Sequence, residues 1–475
     1  MITGERMAAV DANAAALGVS RLQLMESSGH AIARVVRAVS EPGERVALIA
    51  GRGNNGGDAF VAARFLDDRD PVTILLGHPD RIATDIAATN WATLEATDHD
   101  TSVVTNASDF ELPDVSVVVD AMLGTGASGE LREPVATAAQ SITDCAATVV
   151  SVDVPTGLDA TTGERVEGTV VPDHVVTFHD TKPGLEALDA DVTVADIGIP
   201  AAATRRVGPG DRERIVTTAR SARVYVVGGG PYAGAPALTA QAALRAGAEL
   251  SFVAVPDAVS ESVQGYEPDL IVQPYEGATL AEAPVAALVD TATRYDDVVV
   301  LGPGLGSDPE TLSAARSFLE SFDGLAVVDA DALQVVPEAE TAATLVCTPN
   351  PAELEAMGGP AVSDPRVAIE AIEELATALE CVILAKGPTD VITDGDRTRT
   401  NPRGTPGMAV GGTGDVLAGV VAAVLEATDD TLEAAAVGAY VAAIAGEACS
   451  TERGSGFTAS DQLAAVPASL WGERA

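Results

Sequence analysis

A chain of 475 residues is too long for one hydrophobic core and asks for two to four domains, and with 47% apolar residues each can bury a sizeable interior, which excludes a disordered chain. The 70 acidic residues against 28 basic ones give a formal net charge of −42, which excludes a nucleic-acid partner held by phosphate contacts. With aromatics at 3% and every basic residue except Lys182 and Lys386 an arginine, the balance reads as adaptation to a halophilic cytoplasm, where molar salt leaves a Debye length of about 3 Å.

The N-terminal stretch "MITGERMAAVDANAAALG" is acidic and mixes polar with apolar residues, unlike a signal peptide. The first half then alternates β-branched runs with alanine-rich helical stretches. Strands are expected at 45–50, 71–76, 115–120, 148–154, 174–178 and 192–197. Near-continuous apolar strands separated by helices argue for a parallel sheet covered on both faces, so this half reads as a Rossmann-like three-layer α/β/α domain, residues 1–208. A polar stretch without a clear period, 209–221, is expected to be a linker.

A second α/β/α domain is expected over 222–475, with strands at 222–230, 249–255, 297–304, 324–331, 344–348 and 381–387 and a hairpin at 390–400 turning on "DG". Two alanine-rich helices, near 414–427 and 432–449, are expected to close the chain. The longest apolar runs, such as 434–446, fall short of the roughly 20 residues of a membrane span, so no membrane partner is expected. Cys145, Cys347, Cys381 and Cys449 lie far apart without a CxxC pair and fit buried thiols in a reducing cytoplasm.

Two glycine-rich turns carry the chemistry. In "AGRGNNGGDAFVAARFL" a strand end passes through glycines into a helix, whose N-terminus favours negative charge. The alternative is a tight turn without a ligand. Asp120 and Asp153 end two further strands, and the carboxyl ends of parallel strands form the ligand crevice of an open sheet. In "PGMAVGGTGDVLAG" a second glycine nest meets a helix, but Asp415 follows Gly414 where a P-loop would have lysine. A carboxylate there can take the proton of a substrate hydroxyl while backbone N–H groups steady a transferred phosphoryl group. Where arginine fills nearly every basic position, the retained Lys386 points to a site needing a compact ammonium, as phosphates often do; Lys182, in "HDTKPG", invites the same inference without naming its ligand.

The motifs "LMESSGHAIA", "GRGNNGGDAFVAARFL", "DAMLGTG" and "SVDVPTGLDATTG" make residues 1 to about 205 similar to the NAD(P)H-hydrate epimerases. That resemblance implies a substrate cradle of Asn54, Asn55, Gly56, Gly57, Asp58, Gly124, Thr125, Gly126, Ala127, Ser128, Gly129, Glu130 and Asp153. It implies a K+ ion on Asn55, Asp120 and Thr156, the last commonly Ser in the family. Some relatives carry a lysine in the loop after "GTG" and this chain has none, which leaves Asp153 as the candidate proton-transfer group, or else a turn cap.

From about 220 to 470, "GGPYAGAPALTAQAALRAGA", "LGPGLG", "DADAL", "TPNPAEL", "AKGPTDVI" and "GTPGMAVGGTGDVLAG" resemble in matching order the ADP-dependent NAD(P)H-hydrate dehydratases of ribokinase-like fold. The resemblance implies that Ala235, Gly304, Asn350 and Asp415 meet the hydrate. It implies ADP, with Mg2+, on Lys386, Gly387, Pro388, Thr389, Asp390 and Gly414, and Asp415 as the catalytic base. Asn350 stands where relatives usually have His, and an amide cannot exchange a proton at neutral pH. The implied substrates are NADH and NADPH hydrates and ADP; homo-oligomerisation is left open. The rival readings are a sugar or vitamin kinase and, for the first half, a non-catalytic Rossmann-like domain of the kind found in RNA-processing scaffolds.

Overall fold

The computed structural model describes residues 1–126, 129–216, 222–295 and 298–472, so Ala127 and Ser128 of the expected cradle lie outside the described residues. The chain divides into two compact units, Met1–Ala203 and Thr204–Ala475.

The first unit is built on seven strands: β1 (Val46–Ala50), β2 (Pro71–Leu76), β3 (Asp100–Val104), β4 (Val117–Ala121), β5 (Thr148–Val152), β6 (His174–Phe178) and β7 (Asp191–Ala195). They lie in the order β3-β2-β1-β4-β5-β6-β7, every neighbouring pair parallel. Alternate residues of β1 supply two cores. Val46, Leu48 and Ala50 pack with Phe60 and Trp91 of helices Asn54–Arg64 and Asp85–Ala96, while Ala47 and Ile49 pack with Ala138 and Ile142 of helix Val135–Thr143. A strand buried on both faces has no polar side, which is why its sequence is uniformly apolar. The edge strand β3, "DTSVV", has mostly exposed or half-exposed side chains, lacks that signal and escaped the sequence reading.

The strand order reverses between β1 and β4. Loops leaving the carboxyl ends of these two strands run to opposite faces of the sheet and open a crevice between them.

The second unit repeats the plan with β8 (Arg223–Val227), β9 (Leu250–Pro256), β10 (Ile271–Tyr275), β11 (Val298–Leu301), β12 (Leu325–Val328), β13 (Thr344–Cys347), β14 (Val382–Ala385), β15 (Asp390–Thr393) and β16 (Thr398–Asn401). Their order is β10-β9-β8-β11-β12-β13-β14-β15-β16, with reversal between β8 and β11. The pairing is parallel except at β14–β15 and in the hairpin β15–β16, where Thr393 faces Thr398 across the DG turn. Val224 and Val226 face one core with helices Gly234–Ala246, Thr413–Leu425 and Thr431–Arg453; Tyr225 and Val227 face the other with helices Glu282–Tyr295 and Pro309–Ser321. β10 was not foreseen, because Gln273 and Pro274 interrupt its apolar run; proline is tolerated at such an edge.

Three expectations need correction. Residues 209–216 of the expected linker form helix Pro209–Val216 in the second unit, burying Ile215 in its core and Asp211 against Arg399 at 3.0 Å. The helices near 414–427 and 432–449 do not close the chain, since helix Ala459–Trp471 follows and buries Leu463, Val466 and Leu470. Helix Thr431–Arg453 belongs to a segment, Thr431–Gly456, long and apolar enough to cross a membrane by length and composition, contrary to the reading of its apolar run as too short, but 83% of its apolar window is buried inside the unit.

Candidate active sites

In the first unit, the reversal point gathers the predicted residues. Gly53 ends the loop after β1, and Asn54, Asn55, Gly56, Gly57 and Asp58 form the start of helix Asn54–Arg64, where the first N–H groups have no partner within the helix. The Asn55 amide spans the crevice: its Nδ2 donates to the Leu123 and Val152 carbonyls, both at 2.9 Å. Gly124 lets the loop after β4 lie against that amide, because a Cβ there would sit 2.5 Å from Asn55 Oδ1. Thr125 is half-buried beside Gly4, and Gly126, Gly129 and Glu130 are exposed. Asn54 accepts a hydrogen bond from Thr84 Oγ1 at 3.1 Å.

Asp120, in β4, is fully buried. Its Oδ2 accepts from Ser151 Oγ and Thr156 N at 2.9 Å, and its Oδ1 from Thr156 Oγ1 at 2.7 Å. Burial raises its pKa, while these hydrogen bonds work in the opposite direction. Asp120 has no cationic side chain paired with it among the described residues. An all-oxygen set with a buried carboxylate and no counter-charge fits a hard cation, so Asn55, Asp120 and Thr156 are chemically suited to K+.

Asp153 follows β5 with φ +63°, a left-handed conformation that costs about 1–2 kcal/mol for a side chain of this type. Its Oδ1 is 2.6 Å from Lys182 Nζ and accepts from Thr177 Oγ1 at 3.1 Å. Two more carboxyls face it. Asp58 is raised well above the usual carboxylate range by burial, then by the charges of Asp153 and Asp11. Asp11, from helix Gly4–Ala16, is pushed up to about 6, chiefly by burial, with Arg21 opposing.

In the second unit, Ala235 begins helix Gly234–Ala246 after β8, and Gly304 lies in the loop after β11 at φ +75°, where a Cβ would overlap the Tyr232 carbonyl. Asp415 occupies the first turn of helix Thr413–Leu425, N-capped by Gly412 at φ +98° without a side-chain cap. Burial, then the charge of Asp329, pushes Asp415 up to about 7, against the pull of Lys386. Lys386, leaving β14, donates to Asp329 Oδ1 at 2.9 Å and lies 3.6 Å from Glu353 Oε2. Burial works to lower its pKa, but the carboxylates of Asp329 and Glu353 prevail and raise it. A Cβ on Gly414 would stand 3.4 Å from the Lys386 ammonium.

Asn350 caps helix Pro351–Ala356, its Oδ1 accepting from the N–H groups of Ala352 at 2.9 Å and Glu353 at 3.0 Å. Gly387 and Pro388 are exposed and Thr389 is buried. Asp390 turns back on Gly387 N at 3.0 Å and accepts from Asn401 at 2.9 Å, and burial pushes it up to about 6. No group of three His, Cys, Asp or Glu suited to a metal ion occurs among the described residues.

The family model described as NAD(P)H-hydrate dehydratase matches residues 224–467, and the one described as YjeF-related protein N-terminus matches residues 21–184. A bifunctional NAD(P)H-hydrate repair enzyme of Pyrobaculum aerophilum is 41% identical over 495 residues, covering 98% of this chain and 97% of its own. Those of Methanothermobacter thermautotrophicus and Archaeoglobus fulgidus are each 39% identical, covering 97% and 99% of this chain and 93% and 98% of theirs. The chain belongs to the bifunctional NAD(P)H-hydrate repair enzyme family.

Set within that family, three side chains join the sites without having been singled out as site residues. Asp11 lies in an ordinary amphipathic helix, and nothing in its local pattern signals the crevice. Asp329 sits at the end of β12 in "DADAL", and Glu353 sits in "TPNPAEL", so both were inside quoted motifs. The usable signal was position: Asp329 directly follows a parallel strand, and Glu353 lies in the first turn of the helix that follows the next one.

Proposed function

We propose that the protein repairs hydrated nicotinamide cofactors, its first domain interconverting the R and S hydrates of NADH and NADPH and its second dehydrating the S form at the expense of ADP. The observation that carries this reading is the presence, on one chain related along its full length to such enzymes, of a partly desolvated carboxylate at the crevice of each unit: Asp153 after β5 and Asp415 above Gly411 to Gly414.

In the second domain, Asp415 takes the proton of the C6 hydroxyl as that oxygen attacks the β-phosphoryl group of ADP. The unpaired N–H groups at the start of helix Thr413–Leu425 stabilise the charge on the transferred group. Phosphate then leaves, a C5 proton is lost, and the ring double bond returns, giving NAD(P)H, AMP and phosphate. Lys386 holds the nucleotide phosphates, with Gly387, Pro388, Thr389, Asp390 and Gly414 around it. Ala235, Gly304 and Asn350 line the hydrate side. The capping bonds of Asn350 occupy its carbonyl oxygen and leave its NH2 to donate, which supports a binding role rather than proton transfer. Mg2+ would enter with the nucleotide and supply positive charge to its phosphates, in keeping with its habit of taking only one or two protein carboxylates.

In the first domain, Asp153 takes the proton of the C6 hydroxyl as the C6–N1 bond opens and gives it back when the ring closes on the other face of C6. The start of helix Asn54–Arg64, with the loop 124–130, cradles the substrate, and K+ on Asn55, Asp120 and Thr156 would supply fixed positive charge there. The acidic composition supports a cytoplasm of molar salt and no nucleic-acid partner.

The test is separation of activities. Asp415→Asn should abolish ADP-dependent recovery of S hydrate and leave epimerisation, and Asp153→Ala should do the reverse. Loss of both activities from either folded variant would sink this division of labour.

A further inference from the structure

We propose that Lys182 is a positioning residue of the epimerase site, its buried ammonium clamping Oδ1 of Asp153 so that Oδ2 is the oxygen offered to the substrate; this rests on Asp153 being the proton-transfer group.

Lys182 is one of only two lysines in the chain and is completely buried. Its three protons have three close acceptors, Asp153 Oδ1 at 2.6 Å, Thr177 Oγ1 at 2.8 Å and the Phe178 carbonyl at 2.9 Å, and a fourth, the Asp180 carbonyl, at 3.3 Å. No proton is left over for a phosphate, so the ligand that the sequence left unnamed is a carboxylate of the chain itself. An arginine could not replace it, because a planar five-donor fork does not match three converging acceptors in a closed pocket.

The fold enforces the contact. β5 and β6 are parallel neighbours, and Asp153 N donates to the Val176 carbonyl at 2.7 Å, which places Asp153 beside Thr177 and the turn that carries Lys182. With Oδ1 held by Lys182 and Thr177, Oδ2 makes no hydrogen bond among the described residues. The left-handed backbone at Asp153 points to the same conclusion, since such strain persists where the surroundings fix a functional conformation.

The charges around Asp153 are also arranged. Besides Lys182, it is faced by Asp58 from helix Asn54–Arg64 and Asp11 from helix Gly4–Ala16, with Arg21 beside Asp11. Burial, with a smaller push from the charge of Asp153, raises both of those carboxyls, Asp58 well above the usual carboxylate range and Asp11 to about 6, and Lys182 is the cation set directly against Asp153 within this group of three carboxyls. A proton taken from the C6 hydroxyl goes to Oδ2 as the C6–N1 bond opens to an aldehyde, the bonding pair passing to N1 and its conjugated carboxamide, and it returns to the oxygen when N1 closes again on the other face of C6; Lys182 forms no bond to substrate.

The experiment compares wild type, Lys182→Met, Lys182→Arg and Asp153→Ala in the full chain, following R-hydrate epimerisation and, as an internal control, ADP-dependent turnover of S hydrate. Lys182→Met should lower epimerase kcat on the order of 100-fold with KM unchanged. Its acidic limb should move to higher pH while the dehydratase profile stays put, and arginine should not restore the rate. Unchanged kcat, or a raised KM at wild-type kcat, would overturn the proposal. If Lys182→Met fails to fold, Thr177→Val removes the shared hydroxyl but keeps the ion pair; it should lower kcat with KM unchanged, and wild-type kinetics would count against the clamp. Retained epimerisation in Asp153→Ala would instead bring down the base assignment, and the clamp with it.

Discussion

Asp415→Asn has a second consequence beyond lost activity: the variant should be more stable than wild type, and only at neutral to alkaline pH. Burial and the neighbouring Asp329 hold Asp415 at about 7, so the folded state binds its proton more tightly than the unfolded chain does. The stability this contributes is fully present below about pH 4 and is lost as pH rises through about 7. A displacement of about three pH decades is a ceiling of roughly 4 kcal/mol by pH 8. An amide still costs about 1–2 kcal/mol to bury without a partner, which leaves a net gain of roughly 2–3 kcal/mol. The two tryptophans make the assay local, because Trp91 lies in the first unit and Trp471 in the second. In a Trp91→Phe background, Trp471 fluorescence during urea unfolding in concentrated KCl reports the second unit. The extra stability should appear at pH 8 and vanish near pH 4. Equal stability at pH 8, or the same gain at both pH values, would refute the claim that Asp415 is held ionised at a cost.

The same value of about 7 sets the rate profile: dehydratase kcat/KM should rise about tenfold between pH 6 and pH 8, and a flat profile in a chemistry-limited assay would rule out Asp415 as the base. Gly124→Ala should collapse epimerase activity and spare the dehydratase, since its methyl would stand 2.5 Å from Asn55 Oδ1; normal activity of the folded variant would show that this amide need not span the crevice. Arg399→Met should destabilise the second unit, by at most about 3–5 kcal/mol, because it takes from the buried Asp211 and Glu433 the cation they share while Arg214 stays 3.7 Å from Glu433; Trp471 fluorescence would detect it, and an unchanged midpoint would argue against the triad.

Legibility in the sequence followed burial. β1, β4, β8 and β11 are covered on both faces and announced themselves as largely apolar, valine-rich runs, whereas the exposed "DTSVV" and the proline-interrupted "IVQPY" at sheet edges did not. Helix Pro209–Val216 was hidden by Asp211, a charge that reads as solvent-facing until Arg399 is seen beside it. The glycine turns and Asp415 were readable because a nest followed by a carboxylate is a local pattern. The Asp153–Lys182 pair spans two strands and a loop, and Asp11 reaches the crevice from another helix, so both required the register of β5 against β6 and the packing of the N-terminal helix.

The most direct test of the account is the absorbance of reduced nicotinamide after the purified protein receives a mixture of R and S hydrates with ADP and Mg2+ in concentrated KCl. Recovery of all the substrate is the predicted result, with both units working on one pool. Recovery of the S fraction alone would contradict the epimerase assignment, and a stable phosphorylated product without any reduced cofactor would contradict the dehydratase and make the second unit a kinase.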